Sequence, residues 1–371
     1  MKELALPALK TPADVQTYCD ERLKQADLLR QHITEGERTP EQTLQLFNDL
    51  MVAIDDVLPL SELVANVHPD KSVRKAAETC QQNAMKLVTK LQLDRNLYDA
   101  LKQIKTDKLD AEAQRFVKHQ LRDYRRSGVD KDEATRKRIA ELKAELVKVG
   151  QTFSRTIRED KRSITLKAEQ LKGMPDDYIT AHKPDAKGNV TITTEYPDFF
   201  PFQNYHPDGK LRQQLYFQFQ NRAYPQNVKP LRRLLELRHE LVGVLGYPTW
   251  AEYNAEDKMV KKAKVIDEFI KRVTTIARPR MEADLKDLLA RKRKDDKQAK
   301  QVNVWDRFYY VKKIQAERFG VDPQEVRAYF NYPQVKEGLF DITQKLFGVK
   351  FVKNDEVAVW HEQVEVYDVQ E

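Results

Sequence analysis

Glycine, cysteine and uninterrupted apolar runs are all scarce in this chain, and each scarcity removes a class of architecture. Eleven glycines and 16 prolines in 371 residues are too few for a collagen-like or low-complexity chain. The two cysteines, Cys19 and Cys80, have no metal-ligand spacing, so neither a disulfide framework nor a zinc knuckle is expected; both read as small buried apolar residues. No window reaches the ~18 consecutive apolar residues of a membrane span, and residues 1–7 lack the apolar centre of a signal peptide. The expectation is a soluble, cytoplasmic protein with no membrane partner. Also missing are a Walker loop, G-x-G-x-x-G and G-x-S-x-G, and with them the usual marks of nucleotide-binding enzymes and serine hydrolases.

What is abundant is charge. Lys and Arg number 65 against 58 Asp and Glu, a net +7, but the signs are interleaved along the whole chain, so no nucleic-acid partner is expected. The densest cluster, Arg291-Lys292-Arg293-Lys294, is followed at once by Asp295 and Asp296 and reads as a solvated helix C-terminus, where cations meet the negative end of the dipole. With 40% hydrophobic and 33% charged residues, a helical globule is expected. Its length exceeds what one core serves, so two or more lobes follow.

Helix starts are written in cap chemistry. Thr11-Pro12 sets a hydroxyl before a first-turn proline, Thr39-Pro40-Glu41-Gln42 is a capping box, and Asp70 follows His68-Pro69. Leu44, Phe47, Met51 and Ile54 mark one helical face; Val73, Ala77, Cys80, Ala84, Leu87 and Leu91 mark a second, and Ile139, Leu142, Leu146, Val149, Phe153 and Ile157 a third. Breaks at Gly36, Pro69 and Gly128 favour a bundle over an extended coiled coil.

Near residue 160 the period changes to two. Ile164 and Leu166, then Val190, Ile192, Thr194 and Tyr196 after the Lys187-Gly188-Asn189 turn, read as strands. Helical spacing returns at Leu211, Leu215 and Phe219 and runs through Val228 to a stop at Gly246, with a new cap at Thr249-x-x-Glu252. Pro279 predicts a kink or break within the pattern Phe269, Val273, Ile276, Leu285, Leu289, and Asp322-Pro323-Gln324-Glu325 predicts a further start. A helix carries Val335, Leu339, Ile342 and Leu346 to Gly348, and strand-like runs follow at 349–352, 357–360 and 364–369. The expected division is an N-terminal helical lobe at 1–160, a strand-containing connector at 161–208, a second helical region at 209–348 and a β-rich tail at 349–371.

Chemistry-bearing patterns are few. His361-Glu362-Gln363-Val364-Glu365 approaches the H-E-x-x-H zinc motif but has glutamate at the fifth position, and its surroundings alternate like a strand, whereas that motif needs i and i+4 on one helix face. A surface or structural His361 is preferred. His32, His68, His119, His182, His206 and His239 have no metal partner at sequence spacing, and Asp55-Asp56 and Asp176-Asp177 sit at helix ends or turns. No catalytic residue and no metal ligand is assigned. In Trp305-Asp306-Arg307-Phe308-Tyr309-Tyr310, Tyr309 and Tyr310 are the candidates for lining a peptide channel, set against packing in a helical core.

Several blocks, in order, resemble the thimet oligopeptidase, neurolysin and oligopeptidase A family: Asn221-Arg222-Ala223, the run from Leu231 to Leu241, Leu245-Gly246-Tyr247, Lys258-Met259, Val304 to Tyr310, Tyr329-Phe330, Val335 to Leu339, Leu346-Phe347-Gly348 and Val359-Trp360-His361. Weaker echoes are His68-Pro69-Asp70, Arg115-Phe116-Val117 and Leu171 to Asp176. The resemblance implies a mainly α, two-lobe architecture with a small β element, facing a deep channel that admits short peptides. It also implies that the zinc helix, a downstream glutamate ligand and the assisting tyrosine and histidine follow the block at 360–369, so none of them carries over to this sequence. The expectation is the channel-wall portion of a zinc oligopeptidase. It would be inactive alone, hold no cofactor itself, and have short peptides, a separate catalytic half or a second copy as partners. The alternative is a non-catalytic helical protein that binds peptides or acidic partners.

Overall fold

The computed structural model describes residues 8–320 and 323–371. In chain order the helices are α1 (Pro12–Thr34), α2 (Pro40–Val67), α3 (Lys71–Gln92), α4 (Arg95–Lys102), α5 (Ala111–Ser127), α6 (Glu133–Glu159), α7 (Asp176–Ala181) and α8 (Tyr196–Tyr205). They continue with α9 (Gly209–Gln220), α10 (Val228–Leu245), α11 (Trp250–Ala255), α12 (Ala263–Asp295), α13 (Arg307–Phe319), α14 (Pro323–Arg327) and α15 (Tyr332–Phe347). Strands β1 (Ser163–Lys167) and β2 (Asn189–Thr193) pair antiparallel, as do β3 (Lys350–Lys353) and β4 (Tyr367–Gln370). The mainly α reading holds. The chain divides into two compact units, one of residues up to Thr152 with Pro230–Asn254 and Gln344–Glu371, the other of Phe153–Lys229 with Ala255–Thr343.

In the first unit the caps form as their chemistry requires. Thr11 Oγ1 accepts from the Asp14 N–H at 3.2 Å while the Asp14 carboxylate accepts from the Thr11 N–H at 2.8 Å, and Thr39 and Gln42 repeat the arrangement. Asp70 caps α3 through the Ser72 N–H. Each cap fixes where an apolar stripe begins, and the stripes of α1, α2 and α3 meet in one core of Val15, Cys19, Val57, Val64, Val73, Ala77 and Ala84. Small side chains on α3 permit that close approach. A separate core joins Ile139 and Leu142 of α6 to Leu237, Leu241 and Leu245 of α10. Gly128 ends α5 at φ +95°, and a Cβ there would stand 2.6 Å from Ile139 Cδ1 and 3.0 Å from Leu245 Cδ2. Only glycine serves that corner.

In the second unit the β1–β2 ribbon sets Ile164 opposite Ile192 and Leu166 opposite Val190. Its buried face packs with Phe199 and Phe202 of α8 and Leu215 of α9.

Five expectations are corrected. Cys19 and Cys80 are buried as expected but bonded to each other: the packing of α1 on α3 brings their Cα atoms to 5.8 Å across 61 residues of chain, a proximity sequence spacing does not encode. Of the kink or break expected at Pro279, the break does not occur: α12 runs through it, since a proline removes one backbone donor and neighbouring turns can carry the helix past it. Tyr196 opens α8, its Pro197 fitting a first turn. Met51 is exposed, the buried face of α2 running instead through Thr43, Phe47, Leu50, Ile54 and Val57. Residues 357–360 form no strand; β4 pairs directly with β3. Asp322 lies outside the described residues, and α14 begins at Pro323.

The Cys19–Cys80 bond closes a loop that contains all of α2, so it restricts the unfolded chain. Cys19→Ser is expected to cost about 2–5 kcal/mol in urea unfolding. Wild type in dithiothreitol should lose the same amount, whereas the variant should ignore the reductant. Identical curves for wild type with and without reductant would contradict the cross-link.

Candidate functional site

The most heavily bonded polar cluster of the second unit begins at Asp208. Its carboxylate caps α9 through the Lys210 and Leu211 N–H groups, which sets Arg212 one turn inside the helix. Arg212 is 1% exposed and Asp306 2%, and their charges meet at 2.8 Å between Nη2 and Oδ1. The other carboxylate oxygen of Asp306 accepts from Lys292 Nζ at 2.6 Å and from the Asn303 N–H and Nδ2 at 3.1 Å each. Arg212 Nη1 donates to the carbonyls of His206 and Pro207 at 2.6 and 3.0 Å, and its Nε donates to the Trp305 carbonyl at 3.1 Å. Burying charge is costly unless the hydrogen bonds are filled, and here they are.

Burial opposes the Asp306 carboxylate, but the Lys292 ammonium and Arg212 guanidinium outweigh it and hold the carboxyl below its ordinary range. His206, 1% exposed, accepts the Asp208 N–H at Nδ1 and faces the Gln170 carbonyl at 2.8 Å through Nε2. Nε2 therefore carries the proton of a neutral ring. Burial pushes His206 below its usual value.

Tyr309 and Tyr310 both join this cluster. The Tyr309 ring lies 4.3 Å under the Arg212 guanidinium and meets Tyr310 edge-on at 5.1 Å, and both are buried with Leu288. Burial, with the Asp295 carboxylate adding to it, pushes the Tyr310 hydroxyl up to about 12. Trp305 lies in a 3-10 turn ahead of α13 and is half-buried, as is Phe308. The basic cluster at the end of α12 is corrected: Lys292 belongs to the buried network, and Arg291 pairs with Asp295 and Glu317. Neither Arg212 nor Asp306 was marked by sequence reasoning; the one available sign was an aspartate inside an aromatic run.

The paired carboxylates are engaged singly, Asp56 with Arg22 and Asp177 with Arg327. His361 is exposed in an irregular segment, its Nδ1 accepting from the Gln363 N–H, while Glu365 accepts from the Tyr367 hydroxyl. That donor set does not fit zinc, since no helix brings 361 and 365 onto one face. Among the described residues no group of three or more His, Cys, Asp or Glu side chains is placed to hold a metal ion.

Removing one partner of the buried pair strands the other charge. Asp306→Ala is expected to lose about 3–5 kcal/mol in denaturant unfolding, a loss that Lys292→Met should reproduce only in part. The folded pKa of His206 lies below 6.5, so its contribution is complete above that pH and is lost as pH falls through the folded value. Stability should therefore decline between about pH 7 and pH 5, with His206→Asn flattening the slope. Asp306 acts further down, its contribution present above the unfolded value near 3.8 and lost below the folded one. A variant slope as steep as wild type would clear His206 of the effect.

Two family models match the sequence: Peptidase family M3 over residues 202–371, and the Neurolysin/Thimet oligopeptidase N-terminal domain over residues 29–136. Saccharolysin of Saccharomyces cerevisiae is 28% identical over 95% of this chain and 52% of its own length. The thimet-like oligopeptidase of Dictyostelium discoideum is 26% identical over 90% and 52%, and oligopeptidase A of Escherichia coli 25% over 86% and 50%. The chain spans about half the length of these curated relatives. The first model covers the Arg212–Asp306–Lys292 network and both channel-candidate tyrosines. In sequence order along most of its length, and in its mainly α architecture, the chain is similar to peptidase family M3.

Proposed function

We propose that this chain is the channel-wall portion of a zinc-dependent oligopeptidase, inactive by itself and completed by a separate catalytic part that holds the zinc. The observation that carries the reading is the uncovered apolar face of α12. Val265, Ile266, Phe269, Ile270, Val273 and Ile276 recur at three and four residues, yet each is between 38% and 72% exposed. The charged face of the same helix is meanwhile laced by Lys271–Asp267 and Arg280–Asp284 pairs at i, i+4. An amphipathic helix with both faces in water has half of its pattern unused. Helix α15 repeats the condition at Val335, Leu339, Ile342 and Leu346. In a family whose curated members are about twice this length, the remainder of an oligopeptidase is the cover that fits.

Zinc in such an enzyme polarises the scissile carbonyl and lowers the pKa of a bound water. The residues of this chain supply none of that chemistry; in this reading they position and shelter a short peptide. Among the described residues no helix is long and apolar enough to cross a membrane. We place the chain in the cytoplasm, a proposal the Cys19–Cys80 bond opposes, because reducing compartments rarely keep disulfides.

The isolated chain is expected to bind no stoichiometric zinc, to leave quenched fluorescent peptides intact, and to self-associate in light scattering through its apolar faces. Co-expression with the catalytic half of a family member should restore cleavage that a chelator abolishes. One zinc per chain, lost in His361→Ala and accompanied by hydrolysis, would overturn the reading. A strict monomer with no activity recovered on complementation would do so from the other side.

A further inference from the structure

Helices α8, α9 and α13 of the second unit bring four aromatic rings into one surface ladder. Tyr196 and Phe200 lie 5.2 Å apart, Phe219 is 5.9 Å from Tyr196 and 6.5 Å from Phe200, and Phe308 meets Phe200 at 6.2 Å. Tyr196 is 60% exposed and Phe200 38%, so the middle of the ladder faces solvent, while Phe219, stacked on Phe199 at 3.9 Å, and Phe308 are half-buried at its ends. A guanidinium closes each end: Arg222 sits 4.0 Å over Phe219 and Arg307 sits 4.6 Å over Phe308. Neither arginine forms an ion pair among the described residues; Arg222 Nε donates only to the Phe219 carbonyl. Nearby carboxylates are already engaged. Glu195 pairs with Lys161, and Asp160 is held by Arg162 and the Ala223 N–H, with Arg222 acting on it only at longer range.

From this geometry we propose that the ladder binds a short acidic peptide, with apolar side chains laid on the rings and a carboxylate side chain at each arginine. A guanidinium stacked on a ring keeps its edge donors free, and those donors match a carboxylate. The distance from Arg222 across the rings to Arg307 is covered by an extended peptide of about six residues. This inference rests on the peptide-handling reading above and names the peptide chemistry it would select.

Binding is measurable without hydrolysis, by fluorescence anisotropy of a labelled, C-terminally amidated Glu-Phe-Leu-Ala-Phe-Glu peptide. Saturable binding that weakens as salt rises is expected. Arg222→Gln and Arg307→Gln should each weaken it about tenfold or more, and the peptide with Gln in place of Glu should bind comparably weakly to wild type. Arg307 is exposed, so its variant keeps the fold; Tyr196→Ser, also at the surface, should weaken both peptides alike. Equal affinity for the Glu and Gln peptides, unchanged affinity in both arginine variants, or no saturation up to about 1 mM would overturn the proposal. Self-association abolished by Tyr196→Ser, with no peptide binding, would make the ladder a contact between copies instead. Complementation is read by hydrolysis and this test by anisotropy, so failure of the one is distinguishable from failure of the other.

Discussion

A carboxylate and a guanidinium 94 residues apart, Asp306 and Arg212, are buried together, and the local order of the second unit follows from satisfying them. Charge of this kind leaves water only if nearly every donor and acceptor finds a partner. The Asn303–Asp306 turn must therefore close on its own backbone, α9 must start at Asp208, and the end of α12 must deliver Lys292. The carbonyls of His206 and Pro207, left over where α8 ends, are taken up by the same guanidinium. One ion pair thereby sets the relative placement of four helix ends and explains why Tyr309 lies flat beneath Arg212.

Packing is unequal from helix to helix within each unit. The three opening helices of the first unit close their apolar stripes on one another and are tied by a disulfide. Most of α12, by contrast, places its apolar residues in water, and only its last turns, near Leu288, reach a core. Helix propensity and i, i+4 pairs do not account for a 33-residue helix left in this state, because most helical stability comes from burying one face. The uncovered stripe leaves the apolar half of that helical period without cover among the described residues.

What could be read from the sequence was what local chemistry encodes. Thr11, Thr39 and Asp70 announced their helices because a cap is a contact over two or three residues, and the stripe from Val73 to Leu91 was legible because its period is fixed by the helix. The Cys19–Cys80 bond was not, since it depends on how α1 and α3 pack. Lys292 was misread for a similar reason: among Arg291, Arg293 and Lys294 it has the look of a solvated cation, and only the approach of Asp306 from 14 residues away gives it a buried partner. Residues 357–360 carry strand composition without a neighbour to pair with, and composition alone forms no ladder. Tyr309 and Tyr310 were picked out of an aromatic run as channel candidates set against core packing; both are buried with Leu288, and Tyr309 stacks on Arg212.

Arginine separates framework from surface in this unit. Arg212 spends four of its five N–H donors on three carbonyls and a carboxylate and is itself buried, so its stacking on Tyr309 belongs to an inward-facing system. Arg222 and Arg307 stack on Phe219 and Phe308 at similar distances, yet one gives a single bond to a backbone carbonyl and the other shows only its ring contact. Stacking geometry is therefore uninformative by itself; the count of unused donors tells the two situations apart. A buried guanidinium with four donors bonded fixes the fold around it, and one with most donors unused on a half-buried ring keeps its edge for an anion.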